Sequence, residues 1–322
     1  MLKDLTYKVI VMDDDTDLYD DYTEFIREYL SSEGYLLEAD RYEELEELDT
    51  IDLDSVDLFL VDLKFGKEDK GPEFIKKIRE ETLTDILFYS SDAKAIHNNR
   101  NSGEYEGLFF AVRDENKDTI RPTIRRLLDK MIKRSNTPLS SRGIVLGCVA
   151  ELDNVIKRKI ETMTADLSDE MRKNLVDICV KQFYSSYKGR SNKFKEFFGC
   201  EFHNGMTAWE EVQKAYTCNN VYEMACNPAI TDSNRNLNIL LEIYRKQYGK
   251  DAVYTSIKDF PNLLDIRNIF AHVQEEKNAD GVYQLKRLKS GEYLILSEEQ
   301  CRELRKEIIE YAEHFDRIKT NS

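Results

Sequence analysis

The chain has 322 residues, with 47 Lys and Arg against 62 Asp and Glu, and a formal net charge of −15. That length is enough for two cores of ordinary domain size. Mean hydropathy is −0.58, no apolar run approaches the roughly 20 residues needed to cross a bilayer, and no basic-plus-apolar leader opens the chain, so a cytoplasmic protein without membrane association is expected.

The acidity is uneven. Residues 1–134 carry 20 Lys and Arg and 34 Asp and Glu, a balance of −14, whereas the remainder holds 27 against 28. An acidic surface repels phosphate backbones, so nucleic-acid contact is expected only from the second part or a local patch on it; solubility alone would account for the excess equally well. All six cysteines (Cys148, Cys179, Cys200, Cys218, Cys226, Cys301) lie in the second half without a CxxC pair, and they read as reduced packing thiols. The four histidines (His97, His203, His272, His314) are scattered, which argues against a transition-metal cage and leaves a carboxylate magnesium site open.

Along the first 134 residues short apolar runs alternate with helical patterns, the periodicity of a parallel sheet covered on both faces. Five strands are predicted: Tyr7–Met12, Tyr35–Ala39, Val56–Val61, Ile86–Tyr89 and Leu108–Val112. Val9-Ile10-Val11 and Leu58-Phe59-Leu60-Val61 read as strands buried on both faces. A helix over Leu18–Glu33 places Tyr22, Phe25, Ile26, Tyr29 and Leu30 on one face and stops at Gly34. Pro72 can open another, and a helix over Lys117–Lys133 leads into the polar stretch from Ser135 to Ser141, whose Pro138 marks a boundary. The predicted division is 1–134, a linker at 135–142, and 143–322.

Beyond the linker the pattern is helical. Val145, Val149, Leu152, Ile156 and Ile160 form a stripe within Gly143–Met163, and further helices are predicted at 169–187, 206–217, 234–248 and 261–273. Residues 282–296 alternate about Lys289-Ser290-Gly291-Glu292 as a hairpin, and Ser297 with Gln300 offers a capping-box start for a last helix.

In a doubly wound sheet, ligands bind beyond the carboxyl ends of the strands. Asp13 and Asp14 follow the first predicted strand and Asp62 the third, while Ser90 and the Phe110–Arg113 stretch end the fourth and fifth. Each aspartate alone would serve as a helix cap or solvated turn. Together they supply the oxygen ligands a hard cation takes, plus a carboxylate nucleophile, a hydroxyl and a cation, the parts needed for phosphoryl transfer to an aspartate.

VIVMDDD, LFLVDL and FYSSDA, in this order and spacing, resemble the receiver domain of two-component response regulators over about 130 residues. The resemblance implies a flavodoxin-like five-stranded parallel sheet, with Asp62 as phosphoacceptor. Magnesium would be held by Asp13, Asp14, Asp62 and the main-chain carbonyl of Lys64, Ser90 would be the switch hydroxyl, and Phe110 the switch aromatic. It also implies a sensor histidine kinase or phosphotransfer protein as partner. Two departures stand out. Arg113 followed by Asp114 occupies the place of a lysine followed by proline; arginine keeps the charge but not the geometry, and Lys117 is a weaker substitute. The loop from Lys64 to Gly71 is charged and lacks the usual proline, which would alter kinase recognition.

In the second part, Arg267-Asn268-Ile269-Phe270-Ala271-His272 sits late in a helix that Pro261 can start. Five residues separate the arginine and histidine, about 140° around an ideal helix, so spacing leaves open a surface arginine and a packed histidine. The run resembles the motif of HEPN domains, an arginine, a four-residue gap and a histidine. For HEPN ribonucleases that implies metal-independent RNA cleavage in a helical domain that commonly forms homodimers, with Arg267 stabilising the phosphorane charge, His272 moving protons and Asn268 bonding the phosphate. Some HEPN domains are not nucleases, so a non-enzymatic module that dimerises or binds a partner stands as the alternative. Glu151 and Asp153 offer a further acidic group or a solvated helix face. Lys188, Arg190, Lys193 and Lys195, interleaved with Phe194, Phe197 and Phe198, offer an RNA-facing strip or a solvated face. Neither a cysteine nucleophile nor a helix-turn-helix is evident, and Trp209 reads as core.

Overall fold

The structure, a computed structural model, describes residues 2–64, 71–102, 106–114, 117–165, 167–198, 221–228, 231–287 and 291–319. The chain forms two compact units. One comprises Lys3–Ile144 with Leu296–Lys306, the other Met1–Leu2, Val145–Ile295 and Glu307–Ser322.

In the first unit, strands β1 (Thr6–Met12), β2 (Leu36–Tyr42), β3 (Leu58–Asp62), β4 (Ile86–Ser90) and β5 (Leu108–Asp114) form a parallel sheet in the order 2-1-3-4-5. This is the flavodoxin-like order, whose reversal beside β1 opens a crevice beyond the carboxyl ends of β1 and β3. Val9, Ile10 and Val11 on β1 and Leu58 to Val61 on β3 are all fully buried, as continuous apolar runs in a sheet covered on both faces must be.

Helix α1 (Thr16–Ser32) begins two residues ahead of the predicted Leu18 because the Asp15 side chain accepts from the N–H groups of Asp17 and Leu18 at 3.0 and 3.2 Å. It buries Tyr22, Ile26 and Leu30 and packs beside α4 (Ile120–Ser135), which buries Ile124, Leu127 and Leu128. On the other face, Phe74, Ile75 and Ile78 of α2 (Gly71–Glu81) and Ile96 of α3 (Ala93–Ser102) join Ile10, Met12, Phe59, Val61 and Phe88 in one core.

The predicted helix over Lys117–Lys133 starts later than expected. Lys117–Asp118 instead form a sixth strand, β6, antiparallel to the end of β5. Thr119 fixes that turn: its hydroxyl donates to the Val112 carbonyl at 2.7 Å and accepts from the Val112 N–H at 2.9 Å. A side chain that satisfies two backbone groups of the neighbouring strand outweighs the helical pattern of the sequence. The stretch 135–142, read as a linker, holds only two non-helical residues, Asn136 and Thr137. Pro138 blocks continuation of α4 yet opens α5 (Pro138–Ala165), since the first helical position needs no N–H.

Among the described residues the second unit is helical apart from a small sheet and connecting turns. The α5 stripe of Val145, Val149, Leu152, Ile156 and Ile160 is buried as predicted. It is followed by α6 (Asp169–Phe198), α7 (Val221–Cys226), α8 (Ser233–Tyr248), α9 (Ala252–Ile257) and α10 (Pro261–His272). Asp232 and Asp251 cap α8 and α9 by accepting from the N–H groups of Arg235 and Tyr254, both at 3.0 Å. The predicted hairpin is β8 (Tyr283–Lys286) and β9 (Tyr293–Ile295), to which β7 (Glu276–Lys277) adds a third antiparallel strand. The helix expected at 206–217, with Trp209, lies outside the described residues.

The last helix, α11 (Glu298–Asp316), contributes to both units. Ser297 accepts from the Gln300 N–H at 3.2 Å, the predicted cap. In the first unit, Arg305, 2% exposed, donates to the Glu33 carbonyl from Nε (3.2 Å) and Nη2 (2.8 Å) and to Asn136 Oδ1 from Nη1 (3.0 Å), with its guanidinium 4.4 Å from the Tyr35 ring centroid. A cation thus closes the carbonyl end of α1. Gly34 takes φ 77°, and a Cβ there would stand 2.9 Å from both the Arg302 carbonyl oxygen and the Arg305 Cβ. Glycine is therefore required twice at this site, for the turn and for the approach of α11. In the second unit, Phe260 packs edge-on against Tyr311 and Phe315 at 5.2 and 5.1 Å. Among the described residues no helix is long and apolar enough to cross a membrane.

Candidate functional site

The parallel ladder brings the predicted carboxylates together. Met12 pairs with Val61 in β1 and β3, so Asp13 and Asp62 leave adjacent strands side by side, and Asp13, Asp14 and Asp62 each offer an oxygen within 4.8 Å of the others. Asp13 is buried, Asp62 half-buried and Asp14 exposed, which makes a site open on one side. Burial is the main cause that pushes the Asp62 carboxyl up to about 7, with the Asp13 charge adding to it; the backbone N–H groups of Lys64 and Leu63 and the charge of Arg113 work the other way. Burial likewise raises Asp13, against the hydrogen bonds it accepts from Tyr89 and from the Asp15 N–H. Two crowded, desolvated carboxylates, one of them facing the charge of Arg113, fit the donor set of a hard divalent ion, all oxygen and of high charge density.

Gly71 sits at the near edge. A Cβ on it would lie 2.4 Å from the Asp62 carbonyl oxygen and 2.7 Å from the Phe88 ring, so the start of α2 can press against the end of β3 only as glycine. Ser90, 2% exposed, ends β4 one residue beyond Tyr89, the ladder partner of Asp62, and its hydroxyl accepts from the Asp92 N–H at 3.2 Å. Phe110 on β5 is half-buried and meets Phe88 edge-on at 6.1 Å. Arg113 is exposed at the end of β5 and acts on Asp62 through its charge. The Lys64 side chain is exposed and pairs with Asp92 at 3.3 Å. The rest of the loop from 65 to 70 and the Lys117 side chain lie outside the described residues.

One participant was missed from sequence. Tyr89 reads as an apolar residue of a buried strand, yet its hydroxyl donates to Asp13 Oδ2 at 2.5 Å. No spacing rule marks it; the signal available was a tyrosine among aliphatic and phenyl neighbours in a fully buried strand, where its hydroxyl must find a partner.

In the second unit, α10 turns Leu263, Leu264, Ile269 and Phe270 inward. Asn268 is exposed, and His272 is exposed as the last residue of the helix. Arg267 is half-buried: Nη2 donates to the Ser233 hydroxyl at 3.3 Å, while its buried Nε has no hydrogen-bond partner among the described residues. The three motif residues thus share one helix. Glu151 accepts from the Leu2 N–H at 2.5 Å, and Asp153 pairs with Lys157 at 3.6 Å, which gives both acids structural partners. The basic and phenylalanine side chains of 188–198 lie outside the described residues.

No protein-family model matches the chain, and no curated protein matches it. Among solved structures, the chain is similar over 39% of its length to 98% of a two-component response regulator from Clostridium difficile, at 19% sequence identity and a TM-score of 0.30.

Proposed function

We propose that the first unit is a phosphoacceptor receiver, in which Asp62 takes a phosphoryl group from a sensor histidine kinase or phosphotransfer protein. The convergence of Asp13, Asp14 and Asp62 within 4.8 Å at the carboxyl ends of β1 and β3 carries this reading. An Asp62 oxygen attacks phosphorus, the bond from phosphorus to the donor nitrogen breaks, and an acyl phosphate remains on the aspartate. Asp13, Asp14, Asp62 and the Lys64 carbonyl would hold magnesium, which when bound supplies positive charge to the phosphoryl oxygens. Arg113 adds charge at the same rim, and Ser90, withdrawn at the end of β4, is the hydroxyl that would bond the phosphoryl group. Labelling by a small phosphodonor in magnesium tests the assignment: wild-type protein takes up phosphate and Asp62→Asn does not. Equal labelling of the variant would remove Asp62 from the role.

For the second unit the proposed output is a HEPN-type endoribonuclease controlled by that phosphorylation, with dimerisation of the helical unit part of the control. Its support is an exposed His272 on the same helix as an arginine whose Nε has no hydrogen-bond partner among the described residues. The ribose 2′ oxygen attacks phosphorus and the bond to the 5′ oxygen breaks, giving a cyclic phosphate and a 5′ hydroxyl. His272 moves the protons and Arg267 and Asn268 meet the phosphate charge. The Ser233 bond of Arg267 favours the alternative, a non-enzymatic partner-binding module. RNA incubated with wild-type, Arg267→Ala and His272→Ala protein, with and without phosphodonor, decides between them: cleavage that each substitution lowers supports the nuclease, and cleavage absent or indifferent to both leaves the binding module.

A further inference from the structure

Tyr89 occupies a position that packing alone would fill as well with phenylalanine. It lies 1% exposed on β4, its ring held edge-on by Tyr22 at 5.7 Å. A hydroxyl taken that far from water needs a bond, and here the partner is a carboxylate of the acidic rim. The backbone of Tyr89 pairs with Asp62 across the ladder, while its hydroxyl reaches Asp13 Oδ2 at 2.5 Å, and the Asp15 N–H holds the other oxygen, Oδ1, at 2.8 Å. Both oxygens of Asp13 are thereby fixed in direction, one from the loop and one from the core, before any ligand arrives.

We propose that Tyr89 is a positioning residue for divalent-cation binding: its hydroxyl locks the Asp13 carboxylate in the orientation that keeps an oxygen within reach of Asp14 and Asp62. The inference rests on the receiver reading of this rim. A carboxylate has about four lone-pair positions, so two donors leave room for a cation, and the loss of an outer partner that orients a ligand typically weakens metal binding by 10–100-fold.

The test is calorimetric titration of the full chain with manganese chloride, comparing wild type, Tyr89→Phe and Asp13→Asn, with thermal unfolding of each. The expected result is a dissociation constant about tenfold higher in Tyr89→Phe than in wild type, with cooperative unfolding retained and an unchanged stoichiometry. Equal or tighter binding by a folded Tyr89→Phe protein would overturn the positioning role, and so would a lowered melting temperature with unchanged affinity, because either outcome leaves the hydroxyl a purely structural group. Wild-type protein that binds no cation, or Asp13→Asn that binds as wild type does, would overturn the receiver reading and this inference with it. Should Tyr89→Phe fail to fold, the ultraviolet difference spectrum of the wild type on adding magnesium decides: a tyrosine band absent from Asp13→Asn supports the proposal, and no band overturns it.

Discussion

The rim of the parallel sheet and the end of α10 differ in how their polar residues become neighbours. At the rim, Asp13 and Asp62 come from positions far apart in the chain, and only the β1–β3 ladder sets them side by side. On α10, Arg267, Asn268 and His272 are neighbours by sequence, and a helix of any function would keep them so. Carboxylates buried beside one another by tertiary structure cost stability unless something is gained from it, and the Asp62 carboxyl, raised by burial first and by the Asp13 charge second, records that cost. On α10 the cost recorded among the described residues is the buried Nε of Arg267 without a hydrogen-bond partner. The first arrangement therefore argues for a ligand on stronger physical grounds than the second.

The largest expected break in this comparison is in cation binding. Asp13→Ala should weaken magnesium or manganese affinity by 100-fold or more, roughly 3 kcal/mol, whereas Arg267→Ala should leave it unchanged; a calorimetric titration in which both variants behave alike would dissolve the contrast. Next comes the link of α11 to the first unit. Arg305→Met keeps the stem but strips the donors from the Glu33 carbonyl and Asn136, and should lower unfolding stability by about 2–4 kcal/mol in urea melts. A change under about 0.5 kcal/mol would show that these bonds are replaced by water.

Gly71→Ala should cost about 1–3 kcal/mol, because backbone rather than a flexible side chain stands 2.4 Å from the new Cβ. The same variant should lower phosphodonor labelling as the end of β3 shifts, without touching any activity of α10. The last effect is one of pH. The Asp62 carboxyl stands at about 7 in the fold and about 3.9 in an unfolded chain. Below pH 4 both states hold the proton. Between pH 4 and 7 only the folded state holds it, so stability falls as pH rises through that window and levels above it. In chelator, the melting temperature of wild type should decline relative to Asp62→Asn from pH 4 to 7, and magnesium should offset the decline near pH 7. A difference between the two proteins that is flat with pH would contradict a raised carboxyl.

Much of the rim was legible because strands buried on both faces leave continuous apolar runs, and a carboxylate ending such a run falls at the carboxyl end of the sheet. The strands β1, β3 and β4 follow from that pattern, and Gly34 as the stop of α1 and the α5 stripe follow from helical signals. What sequence hid were side chains whose partners lie far along the chain. Tyr89 looks apolar until Asp13 is set beside it. Arg305 looks like one more charge on an amphipathic helix until the carbonyl end of α1 meets it. Thr119 looks like a helix entry until its hydroxyl ties back to Val112 and turns Lys117–Asp118 into an edge strand. In each case a hydrogen bond to a group outside the local window overrides local preference. On α10 the motif was legible but its chemistry was not, since exposure of His272 and the Ser233 bond of Arg267 depend on what packs around the helix.

The sharing of α11 between the two units bears on how such a chain can be cut or recombined. A cut after residue 134 yields a sheet with all its described strands and with Asp13, Asp14 and Asp62, yet it takes away the helix that covers Tyr35 and closes the carbonyl end of α1. Exchanging the first unit as a contiguous cassette would leave the incoming domain facing a foreign α11. A working chimera must carry Leu296–Lys306 along with its own sheet, so the unit of inheritance here is two segments of sequence rather than one.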